Sequence, residues 1–536
     1  MIGRYLGSGR CLLRATARGL GTGVVEMEDT DQVRRLRTFE AWLRSAGAEI
    51  PDLTLRPAES GQGGSVHATT SIPSDTVAVA VPGQCLITAL MGKETEVGKA
   101  VSKSRLRFDA PENIMLMLFI LQDLHEIRQG ATSFYQPYYD VLPSRLDHMP
   151  VFWREGQREL LRGSPLLAMV DERVQAIRED YERICEAFPD FRHIASVESF
   201  TWAEMIVCSR AFAVTMRGVG TRAMVPYGDM LNHLNPFVTD TYWEFDDAAL
   251  NYSGAFTMTT NKRIAEGRQV HDSYGAKCNH RFLLNYGFSI EDNASPDGMC
   301  PNEVPVVVSL DPSDPLFREK KRVWISSPPD PDPMGVRVQL QVGNNGSLHH
   351  LLALLRIVSA TEDTWKVMRE KGPIKAALAE ARRSPGTEDK PGDTRSIQDV
   401  LRAMTSVNRP LSRASEMQTL EALQRLLEGA LQAYPRTLDD DERLLQANPP
   451  PEDLGHFSVR RNALVQVWGE KVILRHYQRL AALGMTTLGS PEAEHRGDFD
   501  HSACVQKRPL QLQHHEEQIA QFCEYLDGCG DGSVLR

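Results

Sequence analysis

The side chains best suited to chemistry are concentrated in residues 202–293. Asp229, Asn232 and His233 lie in the segment AMVPYGDMLNH. The proline and the glycine of this segment disfavour a central strand, so we expect irregular backbone on which polar groups can converge on a ligand. Because a buried histidine is more often a core residue than a ligand, the segment alone is a weak indication of a site.

Two tyrosines are the candidate reactive phenols. The segments FTMTTNKRI and QVHDSY alternate apolar and polar residues around a turn at 265–267, which predicts a hairpin that delivers Tyr274. The segment NHRFLLNYGF has helical spacing, with Gly287 as its stop signal. This predicted helix carries the second tyrosine, Tyr286.

Helices and short strands must position these residues. The segment TWAEMIVCSRAF has apolar residues at three- and four-residue spacing and predicts a helix with Arg210 near its end. A segment nearer the N-terminus contains Gly61, Gly63 and Gly64 beside two short strand patterns. Glycine content alone favours a plain hairpin turn there, although glycines also let backbone approach a ligand closely.

Apolar periodicity predicts most of the remaining elements. We expect a short strand at 304–310 and helices at 31–46, 113–127, 170–188, 348–358, 415–434 and 459–483. The segments 384–396 and 486–498 are rich in proline, glycine and charge, which indicates loops or a tail.

Composition narrows the class of protein. A chain of 536 residues with 41% hydrophobic content suits a globular protein of two or three domains. A net charge of -11 disfavours binding to nucleic acid, and the apolar runs are too short for a membrane helix. The nine cysteines show no CxxC spacing, so we expect reduced thiols in an intracellular protein and no metal cluster.

The order of four short motifs carries more information than any single residue. Ser-Arg-Ala-Phe, Asp-Met-Leu-Asn-His, Ser-Tyr-Gly and Asn-Tyr-Gly-Phe follow one another in residues 209–288. This series resembles the SET-domain methyltransferases, in particular the subgroup of the Rubisco large-subunit lysine methyltransferase and the actin-histidine methyltransferase. The segment Gly63-Gly64-Ser65-Val66-His67-Ala68 is similar to the family's cofactor-binding segment, with Ser65 in place of its usual second glycine.

The resemblance implies an α+β fold. This fold is a SET-domain β-clip of short strands with a helical insertion, followed by an all-helical C-terminal substrate-binding domain. The implied boundaries are 26–100 for an N-terminal helix and the first part of the SET domain, 101–208 for the insertion, 209–293 for the rest of the SET domain, 300–485 for the substrate-binding domain and 486–536 for a partly disordered tail.

The resemblance also implies S-adenosyl-L-methionine as cofactor, a protein substrate and roles for individual residues. Tyr274 matches the family's catalytic tyrosine, and the resemblance implies that it also contacts the cofactor. The other implied cofactor-binding residues are Gly63, Gly64, Arg210, Asn232 and His233, and the implied substrate-binding residues are Phe212, Asp229, Trp243 and Tyr286. Trp243 stands where the lysine-directed relative has tyrosine, which leaves the number of methyl groups transferred open.

Methyl transfer from a sulfonium to an amine requires the nucleophile, the methyl carbon and the sulfur to lie nearly in line, so positioning can supply most of the acceleration. A lysine must first lose a proton from a group whose unperturbed pKa is about 10.4, and a desolvated aromatic channel lowers that pKa.

Two positions bear on the acceptor. The histidine-directed relative has asparagine at the position of Phe212 and tryptophan at that of Gly228. Phenylalanine offers no hydrogen bond to an imidazole, and we expect the glycine to leave room for a long side chain. We therefore predict a protein-lysine methyltransferase. We also expect the protein to be a monomer. The alternatives are a protein-histidine methyltransferase and a non-catalytic SET scaffold that binds a protein partner.

The N-terminus bears on location. Residues 1–25 contain four arginines and no acidic residue, a composition that fits an organellar transit peptide or a disordered leader. We expect the cytoplasm or the nucleus, with import into a mitochondrion or plastid as the alternative.

Overall fold

The structure, a computed structural model, describes residues 31–57, 64–252, 254–321, 324, 335–371, 411–447, 458–489, 518–522 and 526. The predicted leader at 1–25, Gly63 and the predicted loop at 384–396 lie outside these residues.

Twelve named strands lie in the described part of the chain. They are β1 (Leu53–Arg56), β2 (Ser65–Ala68), β3 (Val77–Pro82), β4 (Ile87–Thr88), β5 (Ala211–Met216), β6 (Val219–Met224), β7 (Asn232–His233), β8 (Thr241–Asp246), β9 (Ala255–Thr260), β10 (Gln269–Asp272), β11 (Val304–Ser309) and β12 (Gly335–Leu340). Their sheets have the orders β1-β2-β10-β7, β3-β9-β8, β4-β6-β5 and β11-β12. The strands are short, and neighbours in a sheet are often distant along the chain.

The helices surround these small sheets. They are α1 (Asp31–Ser45), α2 (Ala89–Glu94), α3 (Glu96–Lys103), α4 (Pro111–Arg128), α5 (Gln136–Tyr139), α6 (Glu155–Arg158), α7 (Pro165–Ala187), α8 (Phe191–Ile194), α9 (Val197–Arg210), α10 (Ala249–Tyr252), α11 (Asn279–Tyr286), α12 (Phe317–Lys321), α13 (Asn345–Ser359), α14 (Glu362–Lys371), α15 (Arg413–Gln432), α16 (Leu438–Gln446) and α17 (Val459–Gly489). None of the described helices is long and apolar enough to cross a membrane.

The helix predictions hold because apolar spacing matches burial. In α1, Val33, Phe39 and Leu43 are buried, and the chain leaves the helix through Gly47 with φ of 92°. Helix α4 buries residues on most of its circumference, as its nearly continuous apolar sequence predicts. Each fully buried large aliphatic side chain contributes about 1.5–3 kcal/mol of transfer free energy.

The hairpin predicted around 265–267 is wrong. Strand β9 pairs with β3 and β8, whereas β10 pairs with β2 and β7. The turn itself is present, with Gly267 at φ of 76°, but it carries the chain from one sheet to another. Alternation of apolar and polar residues identifies a strand and its buried face, and it does not specify the partner strand.

Strands β1 and β2, which flank the glycine-rich segment along the chain, form an antiparallel hairpin. Strand β1 pairs antiparallel with β2, and Arg56 lies opposite Ser65. The segment between them contains the glycines, of which Gly64 is described. Because β2 also pairs with β10, the hairpin lies beside the strand that leads to Tyr274.

The C-terminal region has its own hydrophobic core, formed mainly by α13, α15, α17 and the β11-β12 pair. The strand predicted at 304–310 is confirmed as β11, but its partner β12 was not predicted, so the region is not purely helical. Helix α17 continues to Gly489, past the helix end predicted at 483 and into the loop predicted at 486–498. A hydrogen bond of 2.8 Å from Ser164 Oγ to Glu470 Oε1 joins the start of α7 to α17.

Candidate active site

The candidate site is built around the pairing of β7 with β10. These strands run parallel, with Asn232 opposite His271 and His233 opposite Asp272. Strand β10 leads directly to Tyr274, whose backbone N–H donates to His233 Nδ1 at 2.9 Å. The pairing therefore places the Asn-His motif against the candidate catalytic tyrosine.

The phenol of Tyr274 is enclosed and hydrogen-bonded. Its hydroxyl donates to the carbonyl oxygen of Leu231 at 2.9 Å. Its ring stacks on Tyr286, with centroids 4.9 Å apart and planes inclined by 20°. Burial raises the pKa of Tyr274 above its ordinary value and that of Tyr286 to about 12, so both phenols are neutral near pH 7.

Asn232 also contacts the end of the β1-β2 hairpin at Gly64. The Asn232 side-chain amide donates to the Gly64 carbonyl oxygen at 3.3 Å. The predicted neighbours Gly64, Asn232, His233 and Tyr274 are thus brought together, while Gly63 lies outside the described residues.

Arg210 and Asp229 form an ion pair beneath this site. Arg210 Nη1 donates to Asp229 Oδ2 at 3.1 Å and to the Asp229 carbonyl oxygen at 3.0 Å. The hydroxyl of Tyr138 donates to the same carboxylate at 2.8 Å. The Asp229 side chain is fully buried, so this geometry supports a role in positioning Arg210 rather than the predicted contact with substrate. Tyr227 precedes the turn at Gly228–Met230 and has a φ of 77°, a conformation that bulky residues rarely adopt.

Two of the predicted channel residues form a separate aromatic cluster. The ring centroid of Phe212 lies 5.3 Å from that of Trp243 and 5.0 Å from that of Phe256. Tyr286 instead stacks on Tyr274, and no ring contact among the described residues joins the two groups. The structure therefore places the predicted substrate-binding aromatic residues in two clusters.

Gly228 does not open a space. A Cβ atom at this buried position would lie 3.1 Å from Val225 Cγ1 and 3.2 Å from Phe256 Cε1. The expectation that this glycine leaves room for an acceptor side chain is therefore wrong, since two apolar side chains already fill that volume.

The structure adds residues that the motifs did not mark. The Lys277 amine donates to the Tyr274 carbonyl oxygen and lies 6.0 Å from the centroid of the Tyr286 ring. The ring of Phe282 packs 4.8 Å from that of His233. Burial raises the pKa of Asp272 to about 6. The helical spacing of NHRFLLNYGF could have indicated Phe282, whereas no sequence pattern points to Lys277.

The irregular spacing of the cysteines predicts no cluster of metal ligands. The structure brings Cys278, His280 and Glu303 together, with one potential ligand atom from each residue within 4.8 Å of the others.

Comparisons with known proteins agree with this architecture. The Rubisco LSMT substrate-binding family model matches residues 311–474. The solved SET domain of LSMT bound to lysine and AdoHcy superposes with a TM-score of 0.64 at 20% identity, over 86% of this chain and 93% of that chain. Rubisco LSMT bound to AdoMet superposes with a TM-score of 0.61 at 20% identity, over 85% of this chain and 93% of that chain.

The fold is therefore that of the solved SET domain of LSMT, and residues 311–474 match the Rubisco LSMT substrate-binding model. The fold class expected from the motifs is confirmed. Among curated proteins, the chain is similar to the human actin-histidine N-methyltransferase, with 23% identity over 89% of this chain and 75% of that protein. It is also similar to the mouse protein of the same name, with 24% identity over 82% of this chain and 67% of that protein.

Proposed function

We propose that this chain transfers a methyl group from S-adenosyl-L-methionine to a lysine side chain of a protein substrate. The observation that carries the proposal is the half-buried Tyr274 phenol, which donates to Leu231 and lies beside the Asn232-His233 strand. The shared fold with LSMT and the matched substrate-binding region support it.

The residues present suit this cofactor. The hydrogen bonds of the Arg210 guanidinium run from Nη1, and 22% of the side chain is exposed, so its other N–H groups can donate to a carboxylate. The Asn232 amide can contact polar groups of the cofactor. When bound, S-adenosyl-L-methionine supplies an electrophilic methyl group on a cationic sulfur.

The chain's own residues would position and desolvate the acceptor amine. The neutral Tyr274 hydroxyl donates to Leu231, which leaves its oxygen lone pairs to accept a hydrogen bond from an amine. The ring face of Tyr286 can stabilise the cationic amine as it arrives. Enclosure by these rings then favours loss of the amine proton, because desolvation disfavours the charged form.

The choice of lysine rests on Phe212. Its ring packs against Trp243 and Phe256 and presents no hydrogen-bonding group to an imidazole. Histidine is the second candidate acceptor, because the curated relatives are named actin-histidine N-methyltransferase.

Locating the methylated residue distinguishes lysine from histidine as the acceptor. The full-length chain is incubated with labelled cofactor and a cell extract, and the methylated residues are located by mass spectrometry. The proposal predicts label on lysine, whereas label on histidine with none on lysine would refute the lysine assignment. A chain that binds a protein partner but has no affinity for the cofactor in calorimetry would support the non-catalytic alternative.

A further inference from the structure

Three side chains with metal-binding chemistry meet at the start of α11. Cys278 precedes the helix, His280 lies in its first turn, and Glu303 lies just before β11. Cys278 Sγ lies 3.4 Å from His280 Nε2 and 3.7 Å from Glu303 Oε1. His280 Nε2 lies 3.7 Å from the same carboxylate oxygen.

These separations fit a tetrahedral ion. Zinc binds sulfur at about 2.3 Å, and nitrogen and oxygen at about 2.0–2.2 Å, so tetrahedral angles place its ligand atoms about 3.3–3.6 Å apart. The separation of 3.4 Å lies within this range, and the two of 3.7 Å exceed it by about a tenth of an ångström. Small side-chain rotations would therefore complete the geometry.

The charge and shielding of the three residues also suit a divalent cation. A thiolate and a carboxylate together neutralise its two positive charges. Cys278 and His280 are 4% and 8% exposed, whereas the Glu303 side chain is 20% exposed and leaves one side open for a water ligand. The neighbouring Arg281 guanidinium lies 3.9 Å from Glu303 Oε1, but its side chain is 61% exposed and can turn into solvent.

Asparagine side chains hold the backbone around the three residues. Asn302 Oδ1 accepts from the Asn279 backbone N–H at 2.9 Å and from Asn293 Nδ2 at 2.8 Å. Asn279 Nδ2 donates to the Ile290 carbonyl oxygen at 2.8 Å. This network keeps Glu303 against the start of α11 before any ion arrives.

We propose that Cys278, His280 and Glu303 form a binding site for a divalent transition metal of the zinc type, with water as the fourth ligand. The sulfur and nitrogen donors select such a metal over magnesium or calcium, which prefer oxygen ligands. Binding releases the thiol proton to solvent and forms a metal-sulfur bond. The ion fastens α11, the helix that carries Tyr286, to the segment that leads into β11.

Metal titration of the full-length chain tests the site. Protein purified without a histidine tag and stripped with a chelator is titrated with Zn²⁺, and separately with Co²⁺ as a spectroscopic probe. The wild type should bind one ion in competition with a chelator, and its Tm should rise on binding. With Co²⁺ it should develop thiolate-to-cobalt charge-transfer absorption. C278S should lose this absorption, and E303Q should weaken zinc affinity by about tenfold or more.

C300S is the matched control, because Cys300 is a half-buried cysteine outside the cluster. It should keep the wild-type affinity and absorption. Circular dichroism confirms that each variant is folded, and E303Q decides the outcome if C278S does not fold. Absence of metal binding by the wild type, or unchanged binding in both E303Q and C278S, would overturn the proposal.

Discussion

The backbone N–H of Tyr274 donates to Nδ1 of His233 at 2.9 Å, so the candidate catalytic tyrosine is fastened to the Asn-His motif by its main chain. The phenol of the same tyrosine is fastened to Leu231, two residues before that histidine. Burial lowers the pKa of His233 to about 4, so the imidazole is neutral near pH 7 and can act as an acceptor. The proposed cofactor contacts and the candidate catalytic phenol are thereby coupled through one short segment.

Removal of the His233 imidazole should weaken this coupling. H233A leaves the Tyr274 N–H without its acceptor, which costs about 1–3 kcal/mol when the group stays buried. We expect weaker cofactor binding in calorimetry together with lower stability in urea unfolding. H193A, which alters an exposed histidine of α8, is the control and should match the wild type. Wild-type cofactor affinity in H233A would contradict the coupling.

The Arg210–Asp229 pair should be essential for stability. D229N removes the charge that balances Arg210, whose side chain is only 22% exposed, and breaking a buried pair in this way costs about 3 kcal/mol. D31N breaks pairs with Arg34 and Arg35 that are exposed and screened by solvent, so its stability should stay close to that of the wild type. Urea unfolding of the two variants measures the difference, and equal stability would show that the buried pair is not required.

Glu470 should make stability depend on pH. Burial raises its pKa to about 7 despite hydrogen bonds from Ser164, Gln466 and Tyr434. The folded chain therefore holds this proton more tightly than the unfolded chain does. The contribution of Glu470 is fully present below about pH 4.5 and is lost as the pH rises through about 7, with a total on the order of 3 kcal/mol.

E470Q removes this titration, so the stability of the wild type relative to E470Q should fall between about pH 5 and about pH 8. Urea unfolding at several pH values measures that difference. E428Q changes a glutamate on α15 that accepts from Gln432, and should leave the wild-type pH profile unchanged. A difference between wild type and E470Q that does not vary with pH would contradict the assignment.

Much of the fold could be predicted from local patterns. Apolar spacing identified α1, α4 and α11, and Gly287 ends α11 with φ of 79°. Sheet closure could not be predicted, because the partners of β9 and β10 are set by contacts distant along the chain.

The site was predicted to a similar extent. Motif order indicated the residues that meet at Tyr274, since each motif lies on an element whose type could be recognised. The volume beside Gly228 depends on Phe256, which comes from strand β9. The meeting of Cys278 with Glu303 depends on helix α11 and the loop that follows it. The spacing of apolar residues along the chain predicts neither of these two contacts.

The most direct test of the account is methyl transfer by Y274F. Loss of the hydroxyl removes the bond to Leu231 and the oxygen beside the acceptor, so turnover should fall on the order of 100-fold or more. Cofactor affinity in calorimetry should remain close to that of the wild type, and Y242F, at an exposed tyrosine of β8, should keep full activity. Turnover by Y274F equal to that of the wild type would contradict the central claim that this phenol serves the transfer.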